Sequence, residues 1–225
     1  MTAITSRLHF VEIEPPVPAK HTIIWLHGLG ADGNDFVPIV SELNLPANNG
    51  IRFIFPHAPI MPVTLNNGYE MRAWYDIYSL TNNHRVDESG IVQSLTSINE
   101  LIEAEIARGI SSSNILLAGF SQGAAIALTA GLHYQQTLAG IIALSGYLPL
   151  MEKTFDQANE SNRKIPIFIA HGTQDSVVPY AAGKAAETLL RQAGYTVEWH
   201  HYAMQHSVCA EEMNDIGQWI KNILF

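Results

Sequence analysis

Short apolar runs rich in β-branched residues alternate with amphipathic segments along the chain, and this alternation constrains its fold more than any other feature. It predicts an α/β fold with a mostly parallel sheet and helices on both faces, in a single domain of residues 1–225. Apolar residues recur at steps of three and four between Ser89 and Arg108 and again from Met213 to Ile223, which predicts a helix in each segment. Helical signals also cover Gln122–His133 and Tyr180–Gln192. The predicted strands are Leu8–Ile13, Thr22–Leu26, Ile51–Phe55, Ile115–Ala118, Gly140–Leu144, Pro166–Ala170 and Thr196–Tyr202.

Composition and charge disfavour several classes of function. Apolar residues make up 47% of the 225 residues and charged residues 15%, which is typical of a globular protein with a sizeable core. The net charge of −9, without any run of basic residues, argues against nucleic acid and anionic membranes as partners. Cys209 is the single cysteine, and the first residues lack the pattern of a secretory signal. We therefore expect a cytoplasmic protein.

The longest apolar run, Ile115–Leu132, has eighteen residues without a charge and resembles a membrane span in length. Its centre contains two glycines, a serine and a glutamine, which a lipid-facing helix disfavours. Buried parallel strands also read as continuous apolar runs. A buried strand, a turn and a buried helix explain the run better, so we expect no stable membrane insertion.

The turn in this run carries the first chemical motif. Residues 119–123 read Gly-Phe-Ser-Gln-Gly, a G-x-S-x-G placed directly after a predicted strand and directly before a predicted helix. In this context the serine occupies a sharp, strained turn, and flanking glycines leave room for the backbone. Free N–H groups at the start of the following helix face the same point and can stabilise an oxyanion. The motif predicts Ser121 as a nucleophile.

A serine hydroxyl needs a general base and an acid that orients the base, and these follow the nucleophile in the order Asp or Glu, then His. Only Asp175 lies within a few residues of the end of a predicted core strand; the other acidic residues considered are Glu152, Asp156, Glu160, Glu187 and Glu198. Among the later histidines, His200 and His201 lie inside a predicted strand. His206 follows that strand on a loop that can reach the site. We therefore predict Asp175 and His206 as partners of Ser121.

Three histidines in this region raise the alternative of a zinc site, but no second cluster of ligands and no H-E-x-x-H or C-x-x-C supports it. A second alternative comes from Gly28, Gly30 and Gly33, which spell the G-x-G-x-x-G of dinucleotide-binding proteins. That fingerprint also requires an acidic residue at the end of the next strand. The next strand instead ends in Pro56. The glycine loop suits a second oxyanion donor, and we predict the N–H groups of Leu29 and Gln122 as the pair.

Four segments together resemble the phospholipase/carboxylesterase family, which includes acyl-protein thioesterases and small bacterial carboxylesterases. They read His-Gly-Leu-Gly at 27–30, Gly-Phe-Ser-Gln-Gly at 119–123, Leu-Ser-Gly-Tyr-Leu-Pro at 144–149 and His-Gly-Thr-Gln-Asp-Ser-Val-Val-Pro at 171–179. Trp-Tyr-Asp at 74–76 also resembles the aromatic-Asp segment of the family. The resemblance implies an α/β-hydrolase fold without a large cap domain. It also implies a Ser121, Asp175 and His206 triad, the same two oxyanion donors, and no metal or organic cofactor.

The residues around the predicted triad indicate an acyl substrate. The segment from Pro56 to Tyr75, called the flap segment below, is long and apolar without clear periodicity, which is typical of a functional loop. We expect it to cover an acyl groove whose substrate-binding residues are Leu29, Trp74, Tyr147 and Val177.

The sequence thus predicts a serine hydrolase that cleaves a small-molecule or protein-linked acyl ester or thioester. Two alternatives stay open, a serine peptidase and a non-catalytic acyl-binding protein with the same fold. The assembly also stays open, with a homodimer allowed.

Overall fold

A seven-stranded sheet forms the centre of the computed structural model, which describes residues 8–79 and 86–225. The strand order is β1-β3-β2-β6-β7-β8-β9, with β1 antiparallel at one edge and all other pairs parallel. The strands are β1 (Phe10–Ile13), β2 (His21–Leu26), β3 (Ile51–Pro56), β4 (Ile60–Val63), β5 (Tyr69–Arg72), β6 (Ile115–Phe120), β7 (Gly140–Leu144), β8 (Pro166–Gly172) and β9 (Thr196–Tyr202).

Helices cover both faces of this sheet. Helices α2, α3 and α5 pack into one apolar cluster, and α1 and α6 pack into a second cluster on the opposite face. The helices are α1 (Ile39–Glu42), α2 (Glu88–Ala107), α3 (Gln122–His133), α4 (Met151–Asp156), α5 (Tyr180–Gln192) and α6 (Ala210–Leu224). The predicted mostly parallel α/β sheet is confirmed, and the seven strands and four helices expected from the sequence are present with ends shifted by a few residues.

Side chains of β2 alternate between the two clusters, as the period of a strand requires. Ile24 and Leu26 enter the cluster under α2 and α3, whereas Ile23 and Trp25 enter the cluster under α1 and α6. Because both faces are covered, the strand reads as a continuous apolar run.

The longest apolar run divides into β6, a turn at Ser121 and α3, as the sequence predicts. Residues 122–132 of α3 are all buried, because this helix packs against β6 and β7 and is covered by its neighbours. Within the described residues, no helix has the length and apolarity needed to cross a membrane.

The flap segment differs from the irregular loop expected from its sequence. Strands β4 and β5 pair antiparallel, so the segment contains a two-stranded hairpin. The five residues between the strands contain a short 3₁₀ helix (Thr64–Asn66) and end in Asn67 and Gly68, both with positive φ (56° and 75°). Pro62 within β4 obscured the strand pattern, because proline is tolerated mainly in edge strands such as this one.

The carboxyl ends of five neighbouring parallel strands meet at one edge of the sheet, where ligands of such folds bind. The loop after β2 carries Leu29, and the turn after β6 carries Ser121. The loops after β7, β8 and β9 carry Tyr147, Asp175 and His206 respectively. Residues far apart in the chain therefore reach one place.

Candidate active site

Ser121 occupies a strained turn between β6 and α3. Its φ of 56° and ψ of −119° lie outside the regions favoured by residues with a side chain, and such conformations cluster at functional sites. The Ser121 N–H donates to the carbonyl of Leu144 at 2.8 Å, which ties the turn to β7. A Cβ on Gly123 would lie 2.4 Å from the carbonyl oxygen of Leu26, so only glycine lets α3 begin this close to β2.

His206 bridges Ser121 and Asp175. Its Nε2 lies 2.9 Å from Ser121 Oγ, and its Nδ1 lies 2.7 Å from Asp175 Oδ2. The ring also packs against Phe120, with 4.7 Å between the ring centroids. The structure therefore brings together the three residues predicted as nucleophile, base and orienting acid.

Backbone hydrogen bonds join the loops that carry the acid and the base. The N–H of Thr173 donates to the carbonyl of Tyr202 at 2.8 Å, and the N–H of Gln174 donates to the carbonyl of Met204 at 3.0 Å. These bonds continue the pairing of β8 and β9 beyond the strands. The separation of Asp175 and His206 is thus set by the sheet itself.

Four donors surround the buried carboxylate of Asp175. Oδ1 accepts the backbone N–H groups of Val177 at 2.9 Å and Val178 at 2.8 Å. Oδ2 faces His206 and also lies 3.4 Å from Nε2 of His171. This Nε2 lies 2.8 Å from the carbonyl oxygen of Val178, so it carries the ring hydrogen. Burial lowers the pKa of His171, which keeps the ring neutral beside the acid.

The two histidines that the sequence placed in a strand lie apart from this site. His200 contacts Glu198 through Nε2 at 2.8 Å and stacks on Phe168. His201 packs edge-on against Tyr180. The three histidines considered for zinc therefore do not converge on a common point.

The N–H groups of Leu29 and Gln122 belong to residues that line the same cavity as Ser121. Gln122 is the first residue of α3, where N–H groups have no acceptor within the helix. Leu29 lies in a turn closed by the N–H of Ala31 and the carbonyl of Gly28 at 3.3 Å, with Gly30 supplying the positive φ of 81°. For neither N–H do residues 8–79 and 86–225 provide an acceptor. Both groups are free to bind a substrate oxygen.

Trp74 does not line this cavity, in contrast to the prediction that it binds substrate. Its side chain is buried, and the indole N–H donates to the carbonyl of His27, at the start of the loop after β2, at 2.8 Å. Its backbone N–H donates to Oε1 of Gln122 at 2.9 Å. Trp74 therefore joins the loop after β2 to the start of α3.

The side chain of Gln122 completes this connection. Its Nε2 donates to the carbonyl of Tyr75 at 2.7 Å, while Oε1 accepts the N–H of Trp74. Sequence reasoning assigned only the backbone of Gln122, because nothing in the motif shows where a side chain finds partners some fifty positions away. Gln122 therefore lines the cavity at the start of α3, and its side chain also binds the backbone of Trp74 and Tyr75.

We expect Gln122→Ala to lower both stability and activity while remaining far milder than loss of Ser121. Alanine keeps the backbone N–H but leaves two buried backbone groups unpaired, at a cost of roughly 1–3 kcal/mol each. The Tm should fall by roughly 4–20 °C, and kcat/KM should fall about tenfold. Gln93→Ala, at an exposed position of α2, is the matched control and should change neither quantity. Near-complete inactivation with an unchanged Tm would contradict this reading.

The cavity beside Ser121 has a volume of about 290 Å³ and a largely apolar wall. Of the predicted substrate-binding residues, Leu29, Tyr147 and Val177 line it. Further lining residues that the sequence did not single out are Leu65 and Asn66 at the tip of the flap segment, Ile77 just beyond it, Ala31, Asp35, Phe120 and Val178.

Tyr147 in the cavity wall pairs with Tyr75, which does not line the cavity. The hydroxyl of Tyr147 lies 2.6 Å from that of Tyr75, and both side chains are buried. Burial raises the pKa of Tyr147 to about 12, so the phenol stays neutral. The tyrosine part of the wall therefore offers no charge to a bound chain.

The chain is similar to known proteins over nearly its whole length. The family described as phospholipase/carboxylesterase matches residues 8–224. Acyl-protein thioesterase 1 of Yarrowia lipolytica is 38% identical over 213 residues, covering 92% of this chain and 94% of the relative. The relative of the same name from Schizosaccharomyces pombe is 44% identical over 187 residues, 83% of either chain. The crystal structure of Arabidopsis thaliana SOBER1 superposes with a TM-score of 0.87 at 37% identity, covering 92% of this chain and 100% of that one.

Proposed function

Because this chain belongs to the phospholipase/carboxylesterase family of α/β-hydrolases, we propose that it cleaves acyl esters or thioesters through an acyl-enzyme on Ser121. The observation that carries the proposal is the continuous contact from Ser121 through His206 to Asp175, at 2.9 and 2.7 Å. These distances match those needed for a nucleophile, a base and an orienting acid.

In the proposed reaction, Ser121 Oγ attacks the acyl carbon while its proton moves to His206 Nε2. The carbonyl oxygen becomes an oxyanion, which the N–H groups of Leu29 and Gln122 stabilise. Asp175 stabilises the imidazolium and holds His206 in the required tautomer. Collapse of the intermediate breaks the bond to the leaving group, which takes the proton from His206. Water then repeats the sequence on the acyl-enzyme, releasing the acid and restoring Ser121.

The properties of the cavity support an acyl chain as the part of the substrate that binds there. Its wall is mostly apolar, and its volume of about 290 Å³ lies at the lower end of the range for small-molecule sites. We therefore propose short to medium acyl chains as the preferred substrates. Val177 at the rim is half exposed, which leaves space for a bulky leaving group outside the cavity.

Protein-linked acyl groups form one proposed substrate class, since several relatives are named acyl-protein thioesterases. A thiolate is a good leaving group, and thioesters pass through the same tetrahedral intermediate as esters. A serine peptidase is the second candidate for the same triad. Cleavage of amides with a poor leaving group distinguishes it from the esterase.

Lengthening the acyl chain of p-nitrophenyl esters beyond acetate should raise kcat/KM several-fold and then lower it when the cavity is full. Each buried methylene contributes up to about 0.8 kcal/mol, or roughly fourfold. A thioester of the best chain should also be hydrolysed, whereas a peptide anilide should react slowly or not at all. The measurement is kcat/KM across this panel, together with identification of the residue labelled by a fluorophosphonate.

A matched pair of variants tests whether the chain enters the cavity. Leu65→Trp should shift the optimum to shorter chains, because Leu65 lines the cavity. Ile60→Trp lies on the same hairpin, is 63% exposed and does not line the cavity, so it should leave the profile unchanged. If kcat/KM did not change with acyl chain length from acetate onward, the cavity would not be the binding site of the acyl chain. Efficient anilide cleavage would favour the peptidase.

Other features stay predictions from the sequence. They are the absence of a metal or organic cofactor, a cytoplasmic location and an assembly that allows a homodimer. The single-domain organisation also stays a prediction, supported by the seven-stranded sheet, whose strands run from β1 near the start of the chain to β9 near its end.

A further inference from the structure

His27 is a buried histidine next to the proposed oxyanion loop, and the reaction described above does not use it. The side chain is 1% exposed, and both ring nitrogens have partners. Nε2 lies 3.0 Å from the backbone N–H nitrogen of Ala58, and Nδ1 lies 2.7 Å from the carbonyl oxygen of Gly28. The ring is thus fixed between the end of β3 and the loop after β2.

These partners determine the tautomer. The N–H of Ala58 can only donate, so Nε2 of His27 carries no hydrogen and accepts. The carbonyl of Gly28 can only accept, so Nδ1 carries the hydrogen and donates. Burial lowers the pKa of His27, which favours this neutral form. His27 is therefore a directed donor to one specific carbonyl.

That carbonyl shares a peptide group with the proposed oxyanion donor. The Gly28 carbonyl and the Leu29 N–H belong to one planar, trans unit, and they point in opposite directions. A bond that fixes the direction of the carbonyl therefore fixes the direction of the N–H. Gly28 has no Cβ to restrict rotation of this peptide, so the restraint must come from a partner such as the ring.

The peptides on either side are held by the flap segment and its continuation. The carbonyl of His27 accepts the indole N–H of Trp74 at 2.8 Å, and the N–H of Gly30 donates to the carbonyl of Arg72 at 2.9 Å. The carbonyl of the Gly28–Leu29 peptide itself accepts a hydrogen bond of 2.7 Å from Nδ1 of His27 and a longer one, 3.3 Å, from the N–H of Ala31. His27 is the shorter and buried restraint on the donor.

We propose that His27 is a positioning residue that aims the Leu29 N–H at the oxyanion, through the hydrogen bond from its Nδ1 to the Gly28 carbonyl. The inference rests on the proposed function, because it requires that an oxyanion forms beside Ser121. It adds a residue that acts on the transition state without touching the substrate.

Two substitutions separate the two bonds of the ring. In His27→Asn, the side-chain amide can place an N–H near the position of Nδ1 and keep the bond to Gly28, while the bond from Ala58 is lost. In His27→Gln, the amide oxygen can occupy the position of Nε2 and keep the bond from Ala58, while the donor to Gly28 is lost. The proposal predicts that the asparagine variant is the more active of the two.

We expect His27→Gln to lower kcat by about 10- to 100-fold, with KM changed less than about threefold. Loss of a whole oxyanion donor costs about 10²–10³ in kcat, and a misaligned donor costs less. His27→Asn should retain kcat within about fivefold. His133→Gln is the matched control for loss of a half-buried histidine that bonds a carbonyl, and it should leave kcat unchanged. Rates are expressed per site titrated with a fluorophosphonate.

Affinity for an alkylboronic acid, whose tetrahedral adduct on Ser121 places an oxygen in the oxyanion hole, gives a second readout. It should weaken in His27→Gln in proportion to kcat and stay near the wild-type value in His27→Asn. Equal losses in both variants, or a loss of kcat without a loss of boronate affinity, would overturn the proposal. If His27→Asn does not fold, the comparison of kcat with boronate affinity in His27→Gln still tests the positioning role of His27. A wild-type protein inactive on every ester and thioester would instead reject the proposed function.

Discussion

Replacing Ser121 with alanine is expected to lower kcat by about 10⁶ while leaving the fold intact. Loss of the nucleophile costs roughly this factor in a well-studied serine protease. Among residues 8–79 and 86–225 the hydroxyl has one hydrogen-bond partner, Nε2 of His206, so its removal leaves no other group of these residues unpaired. The strained φ of 56° is unchanged by the substitution, and the Tm should stay within about 3 °C of the wild-type value. Activity and Tm are measured on the same preparation.

Two controls make this result specific. Ser207→Ala removes the hydroxyl of an exposed serine adjacent to His206 and should retain wild-type kcat. Fluorophosphonate should label the wild-type protein at Ser121 and fail to label Ser121→Ala. Retention of a tenth of the activity by Ser121→Ala, or labelling at another serine, would contradict the assignment.

Most of the fold can be predicted from local sequence patterns. Strands such as β2 and β7 are mostly apolar and each contains two adjacent isoleucines, and α2 and α6 show one apolar stripe, so each of these elements can be recognised from its own sequence. The hairpin of β4 and β5 was missed because it lies outside the main sheet, and its exposed side chains show little alternation of burial. Asn67 and Gly68, at the end of the connection between these strands, are residue types typical of turns and are a local signal of the hairpin.

The predicted triad residues lie on loops after three strands, and this placement follows from topology. Parallel strands end at the same edge, so positions just beyond β6, β8 and β9 must lie near one another. The direction of a side chain does not follow from such placement. Trp74 illustrates this limit, since its position near the site suggested substrate contact, whereas its indole N–H is used by the carbonyl of His27.

Contacts between distant segments also escaped the sequence. His27 reaches the N–H of Ala58, and the side chain of Gln122 reaches two backbone groups near residue 74. Each is a satisfied hydrogen bond among buried residues next to the loop after β2. A sequence shows that such polar residues are present in an apolar surrounding, but only the assembled fold supplies their partners.

Asp175→Asn should lower kcat by up to about 10⁴, the effect of the corresponding change in a serine protease. The contacts of Asp175 explain how. Oδ1 accepts two backbone N–H groups, from Val177 and Val178, so this position must remain an oxygen in the variant. The amide nitrogen of asparagine is then forced to the position of Oδ2, opposite Nδ1 of His206. It donates where the aspartate accepts.

This reversal fixes His206 in the wrong tautomer. Nδ1 must accept from the asparagine, so the hydrogen moves to Nε2, and Nε2 can no longer take the proton of Ser121. The amide nitrogen also faces the Nε2 hydrogen of His171 at about the position of Oδ2, which adds a repulsive contact. ¹⁵N NMR of the imidazole of His206 should show hydrogen on Nδ1 in the wild-type protein and on Nε2 in Asp175→Asn.

Asp156→Asn, at an exposed position of α4, is the matched control and should retain full activity. A severe loss in Asp156→Asn with a mild effect in Asp175→Asn would show that the orienting acid is a different residue.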